Sequence, residues 1–445
     1  MAVSLRRKRE APRGRYTPNL WPVWIVGPLA LIAASALGWV IYHYAYDHFA
    51  QAAANQQPPK PVDINDVLKA TVTALTLVGA VLAGLYAYRK QLLAEGDAHR
   101  ADASQLAERY TTAAEQLGHD QAAVRLAGVY ALARLADDWA EQRQVCIDVL
   151  CAYLRMPYEP DHTAQGHKAG EREVRQTIIR VIRDHLQDPE ARTAWCRNNF
   201  NFTGAVFDGG SFSDSHFRGT VYFVGARFAG GTVDFDRATF SRGTVSFADA
   251  TFSGGTVTFR LSTFSGGTVY FDRATFSGGT VTFRLSTFSG GAVSFVGATF
   301  SGGEVSFLNA TFSGGTVYFD EATFSSTASF FNATFSGGRV NFGDATVTDG
   351  MVDFGDATFS GGTVDFRGAT VNGGTVGFRD ATFCGSTVIF GAAFFGGTVN
   401  FGAAFLGGTV NFGDAMFGGG TVDFGDAMFG GTVFDWGPLP VPAGA

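Results

Sequence analysis

The sequence predicts an all-β solenoid of about ten coils, preceded by a two-helix transmembrane hairpin and a small α-helical connector. Three observations lead there. Phenylalanine is confined to the second half: of 43, only Phe49 precedes position 200, and 48 of the 58 glycines lie beyond that point. The phenylalanines recur at fixed spacings, and the stretch GTVTFRLSTFSGG occurs at 255–267 and again at 279–291. Ahead of the repeats lie two apolar runs of bilayer-spanning length. The boundaries that follow are a basic N-terminus at 1–20, a hairpin at 21–90, a helical connector at 91–198, the repeats at 199–436 and a tail at 437–445.

The N-terminus carries Arg6, Arg7, Lys8, Arg9, Arg13 and Arg15 against Glu10. The first apolar run spans about 21–44, with Trp21 and Trp24 at one end and Tyr42 and Tyr44 at the other, where interfacial aromatics belong. The second spans about 70–88 and is followed by Arg89 and Lys90. The stretch between them carries Asp47, Asp63 and Asp66 against Lys60. Basic residues before the first span and after the second predict a two-pass protein of the cell membrane, with both termini and the repeats cytoplasmic. A cleaved signal peptide fits less well, because its apolar region would be too long and Arg89 and Lys90 would face outside. Gly79 with Ala83, and Ala80 with Gly84, allow close helix packing, inside the hairpin or between copies.

From Ala103 the pattern turns helical. One helix is expected to end at Gly118, a C-cap residue. Asp120 is expected to cap the next, which carries Val124, Leu126, Val129, Leu132 and Leu135 at helical spacing. Asp138 to Glu141 reads as a capping box for a third helix running to Arg155, and 171–186 as a fourth with Val174, Ile178, Ile179 and Ile182 on one face. An ordinary small bundle or a HEAT-like pair would both suit this pattern. His162 and His167 share a loop with Asp161, and nothing completes a metal site there. Cys146, Cys151, Cys196 and Cys384 show no metal-ligand spacing and read as buried free thiols in a reducing compartment. Lysine occurs five times and never beyond Lys168, against 28 arginines, which suits the codon usage of a high-GC bacterial genome.

The repeats begin with phenylalanines at 202, 207, 212 and 217, one every five. From Phe235 the spacing alternates five and seven: 240, 247, 252, 259, 264, 271, 276. Each twelve-residue unit reads as two five-residue pieces plus two added residues, with Val245 and Phe247, then Ala250 and Phe252, as inward pairs. Where the repeat slips, the same rule gives Ala328/Phe330, Ala345/Val347, Ala369/Val371 and Ala404/Leu406 as inward pairs. Glycines supply corners. The 24-residue offset of the duplicated stretch makes two units one coil. About ten coils at the inter-strand spacing of roughly 4.8 Å give a rod of about 48 Å.

The five-residue spacing, with a small residue two places before each phenylalanine, resembles the pentapeptide-repeat family. That resemblance, covering about 200–436, implies a right-handed quadrilateral β-helix with one five-residue unit per side. The seven-residue intervals depart from the strict pattern.

Between each inward pair lies an outward residue. It is Thr thirteen times running, from Thr239 to Thr382, a ladder that β-branching and cross-strand contacts explain. After Thr382 the column is read as Phe394, Phe405, Met416 and Met428, an apolar strip at one end of the rod. Asp353, Asp365 and Asp423 follow Val at outward positions, and 344–435 holds ten Asp against Arg367 and Arg379. Trp436 and the prolines of the tail would end stacking and could cover the open end. No catalytic, cofactor-binding or metal-binding constellation stands out from the repetition: the SGGTV segments lack the lysine of a phosphate loop, and GGGTVDF has a period of twelve rather than the nine of calcium-binding repeats.

The expected function is a membrane-tethered scaffold without catalysis. Its partners would be the lipid bilayer, an unidentified protein and a second copy through the C-terminal coils, with Phe394, Phe405, Met416, Met428, Asp353, Asp365 and Asp423 as contact residues. The family resemblance implies an alternative, a DNA-mimicking inhibitor or protector of a type II topoisomerase. An unrecognised enzyme or transport component is the third class, and the spans lack buried charges beyond Lys69 near one end, which makes a two-span conduit a poor fit. Nucleic acid is not an expected ligand of a net-negative rod.

Overall fold

The computed structural model describes residues 23–55 and 61–442. The basic N-terminus, the start of the expected first span, Lys60 and the last three residues of the tail lie outside the described residues. The chain divides into two compact units, up to Ser104 and from Gln105.

In the first unit, helix α1 is Val23–Ala54, and helix α2 starts at Ile64 and ends at Leu117. Gly38 of α1 faces Leu75 of α2, where a Cβ would lie 3.4 Å from Leu75 Cδ1. Among the described residues one helical stretch, Ile64–Gln91, is long and apolar enough to cross a bilayer, with a mean hydropathy of 1.8. It leaves Leu77, Val81, Leu82 and Leu85 exposed. The second apolar run and the first connector helix were expected as separate elements. They form one helix, since no proline interrupts 64–117.

The second unit opens with the end of α2 packed beside α3 (Ala122–Asp138), a 3-10 turn (Ala140–Gln142), α4 (Arg143–Arg155) and α5 (Glu171–Asp184). The helix expected to end at Gly118 does so, with Leu117 its last residue, but the two expected N-terminal caps are not used. The residue before α3 is Gln121, with no side-chain cap, and Asp120 instead offers its carbonyl to Arg125 Nη1 at 2.5 Å. Asp138 accepts a hydrogen bond from Arg109 Nη2 at 2.8 Å rather than opening a capping box. At Asp120 the neighbour is a buried cation, at Asp138 an exposed one. Arg125 is enclosed, so its guanidinium takes the carbonyls of His119 and Asp120 and approaches Glu171 Oε2 at 3.3 Å, while Tyr153 O–H donates to that same oxygen. Arg175, also buried, donates to the carbonyls of Tyr153, Leu154 and Val206 and lies over the Tyr158 ring.

From Phe200 onward the chain winds into a β-solenoid of about ten turns. Its parallel ladders form a 19-stranded and an 18-stranded sheet, each bent to make two sides of the coil. Register confirms the 24-residue coil through the middle of the rod: Thr263 pairs with Thr287, and Thr251 with Thr275. The ends wind more tightly. Phe200 pairs with Val221, and Thr382 with Ala404.

Two kinds of corner alternate. At the tight one the Ala N–H returns to the Phe carbonyl three residues earlier, as in Ala274 to Phe271 at 3.0 Å, and the residue before Ala has φ near +55°. Arg273, Asp249, Leu261 and Leu285 occupy that strained position. At the other corner stacked glycines pass so closely that a Cβ on Gly291 would lie 1.7 Å from the Gly267 carbonyl oxygen. Inside, the phenylalanines form four columns. Phe259, Phe283 and Phe307 stack at 4.7 and 4.8 Å, and the neighbouring column meets them edge-on, with Phe271 and Phe283 at 5.6 Å. The column Phe207–Phe324 continues as Val347 and Val371 before Phe394 resumes, leaving a small apolar void of about 20 Å³ lined by Val347, Val371, Phe366 and Phe390 among others. At inward positions without Ala, Ser262 and Ser286 bury their hydroxyls by donating to the carbonyls of Phe235 and Phe259.

The two ends of the solenoid differ. At the first coil, His216 N–H donates to Leu186 O at 2.9 Å and Arg218 N–H to Cys196 O at 2.7 Å, while Gly210 lies under Ile179 of α5. The helical segment thus closes that edge. At the last coil the indole of Trp436 stacks on Phe434 at 4.4 Å and reaches Phe424, Phe429 and Phe412, so it plugs the core.

Candidate interaction surface at the C-terminal coils

The outward strip read from the sequence is corrected in half of its members. Phe394 and Phe405 point inward, 2% and 0% exposed, because Phe394 pairs with Val371 and Phe405 with Phe383. The inward pair proposed as Ala404/Leu406 is likewise Ala403/Phe405, and Leu406 faces out. The cause is a missing turn residue. Phe378 and Ala381 are separated by Arg379-Asp380, whereas Phe390 and Ala392 are separated by Gly391 alone, and Phe401 and Ala403 by Gly402 alone. Each deletion moves the following strand by one position, and a one-residue slip exchanges its faces.

The Thr column therefore passes through Ala393 to Met416 on one sheet, and through Ala404 to Met428 on the other. Met416 and Met428 stand outward, 60% and 63% exposed. Two residues the sequence reading missed join them: Phe395 is 50% and Leu406 46% exposed. The glycines that follow in the ladder make room, since a Cβ on Gly418 would lie 2.7 Å from Phe395 Cδ1 and one on Gly430 3.1 Å from Leu406 Cδ2. The signal was available in the spacing: Phe390, Phe401 and Phe412 lie eleven apart where the repeat has twelve.

The three aspartates are not brought together. Asp353 and Asp423 share one column, separated by Gly377 and Asn400, while Asp365 lies on the other sheet. Asp353 and Asp423 each accept the backbone N–H two residues on, at 2.9 Å. Asp365 is committed to structure. Only 2% exposed, it takes Arg339 Nη2 at 2.5 Å and Arg367 Nε at 2.9 Å. Burial pushes its carboxyl up, but the hydrogen bonds from Arg367 and Arg339 outweigh that and hold it below the ordinary range. The acids that do face solvent at this end are Asp414, Asp423, Asp426 and Asp435, and no lysine or arginine follows Arg379.

A second apolar group lies mid-rod, where Leu261, Leu285 and Phe331 are exposed at one tight corner. Among the described residues no three His, Cys, Asp or Glu side chains converge as metal ligands would. Cys146, Cys151 and Cys196 are buried, but Cys384, expected to be buried too, lies on an outer face. No curated protein and no solved structure matches the chain. Four columns of inward aromatic residues, one per coil side, with small residues two places before them, are the architecture of a five-residue repeat, and residues 202–245 and 271–317 match the family model described as pentapeptide repeats, in nine copies.

Proposed function

We propose that the protein is a membrane-tethered, non-catalytic scaffold whose solenoid presents its C-terminal coils to another protein. The observation that carries this reading is the exposure of Phe395, Leu406, Met416 and Met428 together on the last coils, where the ladders that lead to Met416, Met428 and Leu406 hold Thr370, Thr382 and Ser360 in earlier coils. Flexible thioethers beside an aromatic ring suit association with a partner surface. The tether is supported by the apolar stretch Ile64–Gln91 and by the basic residues flanking the two runs. Labelling of cysteines introduced at 50–60 and at 160–170 tests its sidedness, with outside labelling at the second site counting against a cytoplasmic rod.

Replacing Phe395, Leu406, Met416 and Met428 by Thr makes these outer faces polar without touching the core. The variant is expected to unfold as the parent does and to lose partner or self-crosslinking in native membranes. Unchanged crosslinking would refute the contact surface. The alternative, a DNA-mimicking inhibitor or protector of a type II topoisomerase, is favoured by the exposed acids beyond Arg379. Inhibition of gyrase supercoiling by the purified protein, abolished when those acids are changed to Asn, would establish it instead.

A further inference from the structure

We propose that the edge Met428–Asp435 of the last coil receives an extended cationic segment of a partner protein as an added β-strand. The inference rests on the C-terminal coils being a contact surface, and it names what they contact. Strands inside the rod are paired on both sides. Those of the last coil are paired on one: Met428–Gly430 and Val433–Asp435 both pair with Ala404–Asn411, and among the described residues nothing pairs with their far side. One and two coils earlier the same positions run as single eight-residue strands, Ala404–Asn411 and Thr382–Ile389 respectively, joined at seven positions. Met428–Asp435 thus offers the backbone edge on which the next eight-residue strand would lie. Unpaired strand edges recruit strands.

Three observations select the occupant. The chain's own continuation does not suit it, because Pro438, Pro440 and Pro442 remove alternate N–H donors from the segment that would have to pair. The core needs no plug, since Trp436 already fills that place. A second copy would bring Asp414, Asp423, Asp426 and Asp435 against their equivalents, like charge against like. All four are exposed, and no ion pair engages them among the described residues. A segment that is apolar where it covers Met428 and Val433, 63% and 67% exposed, and basic towards its two ends, beside Asp426 and Asp435, satisfies both features of the edge.

The test uses the protein in neutral detergent and a fluorescein-labelled eight-residue peptide with lysines at both ends and valines between them, followed by fluorescence anisotropy. The lysine peptide should bind, and its glutamate–valine counterpart should not. Changing Asp414, Asp423, Asp426 and Asp435 to Asn should weaken binding about tenfold or more, as should raising the salt. Methylating alternate backbone nitrogens of the peptide, which keeps its charge, should abolish binding on one edge. Equal binding of the glutamate peptide, indifference to the Asn changes, or equal binding of both N-methylated registers would overturn the added strand. If the lysine peptide fails while the four-Thr variant still loses its crosslinks, the contact surface stands and only the cationic strand falls. If neither responds, both fall.

Discussion

Phe283→Ala puts the inward column to the hardest test. Phe283 is fully buried, stacked between Phe259 at 4.7 Å and Phe307 at 4.8 Å, and met edge-on by Phe271 at 5.6 Å. Truncation removes about 2 kcal/mol of transfer free energy for a buried aromatic side chain. The neighbours above and below are held by their own ladders, so collapse is limited. A residual cavity on the order of 80 Å³ adds about 2 kcal/mol more, giving about 4 kcal/mol in all. Thr287, half-buried between Thr263 and Thr311 on the outer face, loses only cross-strand contacts on truncation, under about 1 kcal/mol.

Urea unfolding of the two variants, with hydrogen exchange mapped along the rod, separates the effects. Because each coil touches only its neighbours, Phe283→Ala should raise exchange chiefly in the coils holding Phe259, Phe283 and Phe307. Equal losses for the two variants would refute the assigned faces. Uniform exchange along the rod would refute the nearest-neighbour account.

Three further outcomes follow from the same geometry. Gly291→Ala forces a methyl into the Gly267 carbonyl and should cost about 3 kcal/mol or more, whereas Gly314→Ala, with open space and φ of +70°, should cost about 1, as urea midpoints would show. Maleimide should label Cys384 rapidly in the native protein and Cys146, Cys151 and Cys196 only on unfolding, since burial encloses those three and pushes the Cys146 and Cys151 thiols up to about 11 and about 12. Asp365→Asn should cost about 2 kcal/mol at neutral pH. Because the folded carboxyl titrates below its ordinary 3.8, that difference should persist above about pH 4 and shrink as pH falls further, and a difference unchanged at low pH would count against the pairing with Arg339 and Arg367.

The solenoid was legible because its core is written in one residue type at intervals that only a coil of fixed length satisfies. The duplicated stretch at 255–267 and 279–291 already carried the register that the Thr263–Thr287 ladder shows. The helical segment was legible as helices but not at their starts. Asp120 and Asp138 look like caps by local chemistry, yet a buried Arg125 and an exposed Arg109 claim them through contacts that sequence proximity does not reveal. The candidate surface was half legible. Met416 and Met428 were placed correctly, while counting from Thr382 carried the error of one deleted turn residue into Phe394 and Phe405. The inward rule alone cannot detect such a slip at GAAFFGG, because Ala-Ala and Phe-Phe supply an acceptable pair in either register. The eleven-residue spacing of the inward column is what breaks the tie.

That the deletions fall in the last coils bears on what those coils are for. A twelve-residue unit with a two-residue turn keeps an outward column of Thr on each sheet for most of the rod, and the rod's N-terminal edge is closed by the carbonyls of Leu186 and Cys196. Shortening the turn at Gly391 and Gly402 preserves the inward stack, with Phe378 and Phe401 still parallel at 5.5 Å, yet the outer faces there gain Phe395 and Leu406. Packing alone gives no reason to add exposed apolar side chains at the end where the strands also lack a neighbour. It would favour the Thr and Ser found elsewhere, since an apolar open edge invites aggregation. On the proposed docking reading the four exposed aspartates supply the restraint, repelling a second acidic rod while leaving the edge open to a basic strand. An end that is apolar, unpaired and acidic together is the combination expected of a selective docking edge, and charge reversal of those aspartates to Lys should make the rods self-associate or lose solubility rather than merely lose a partner.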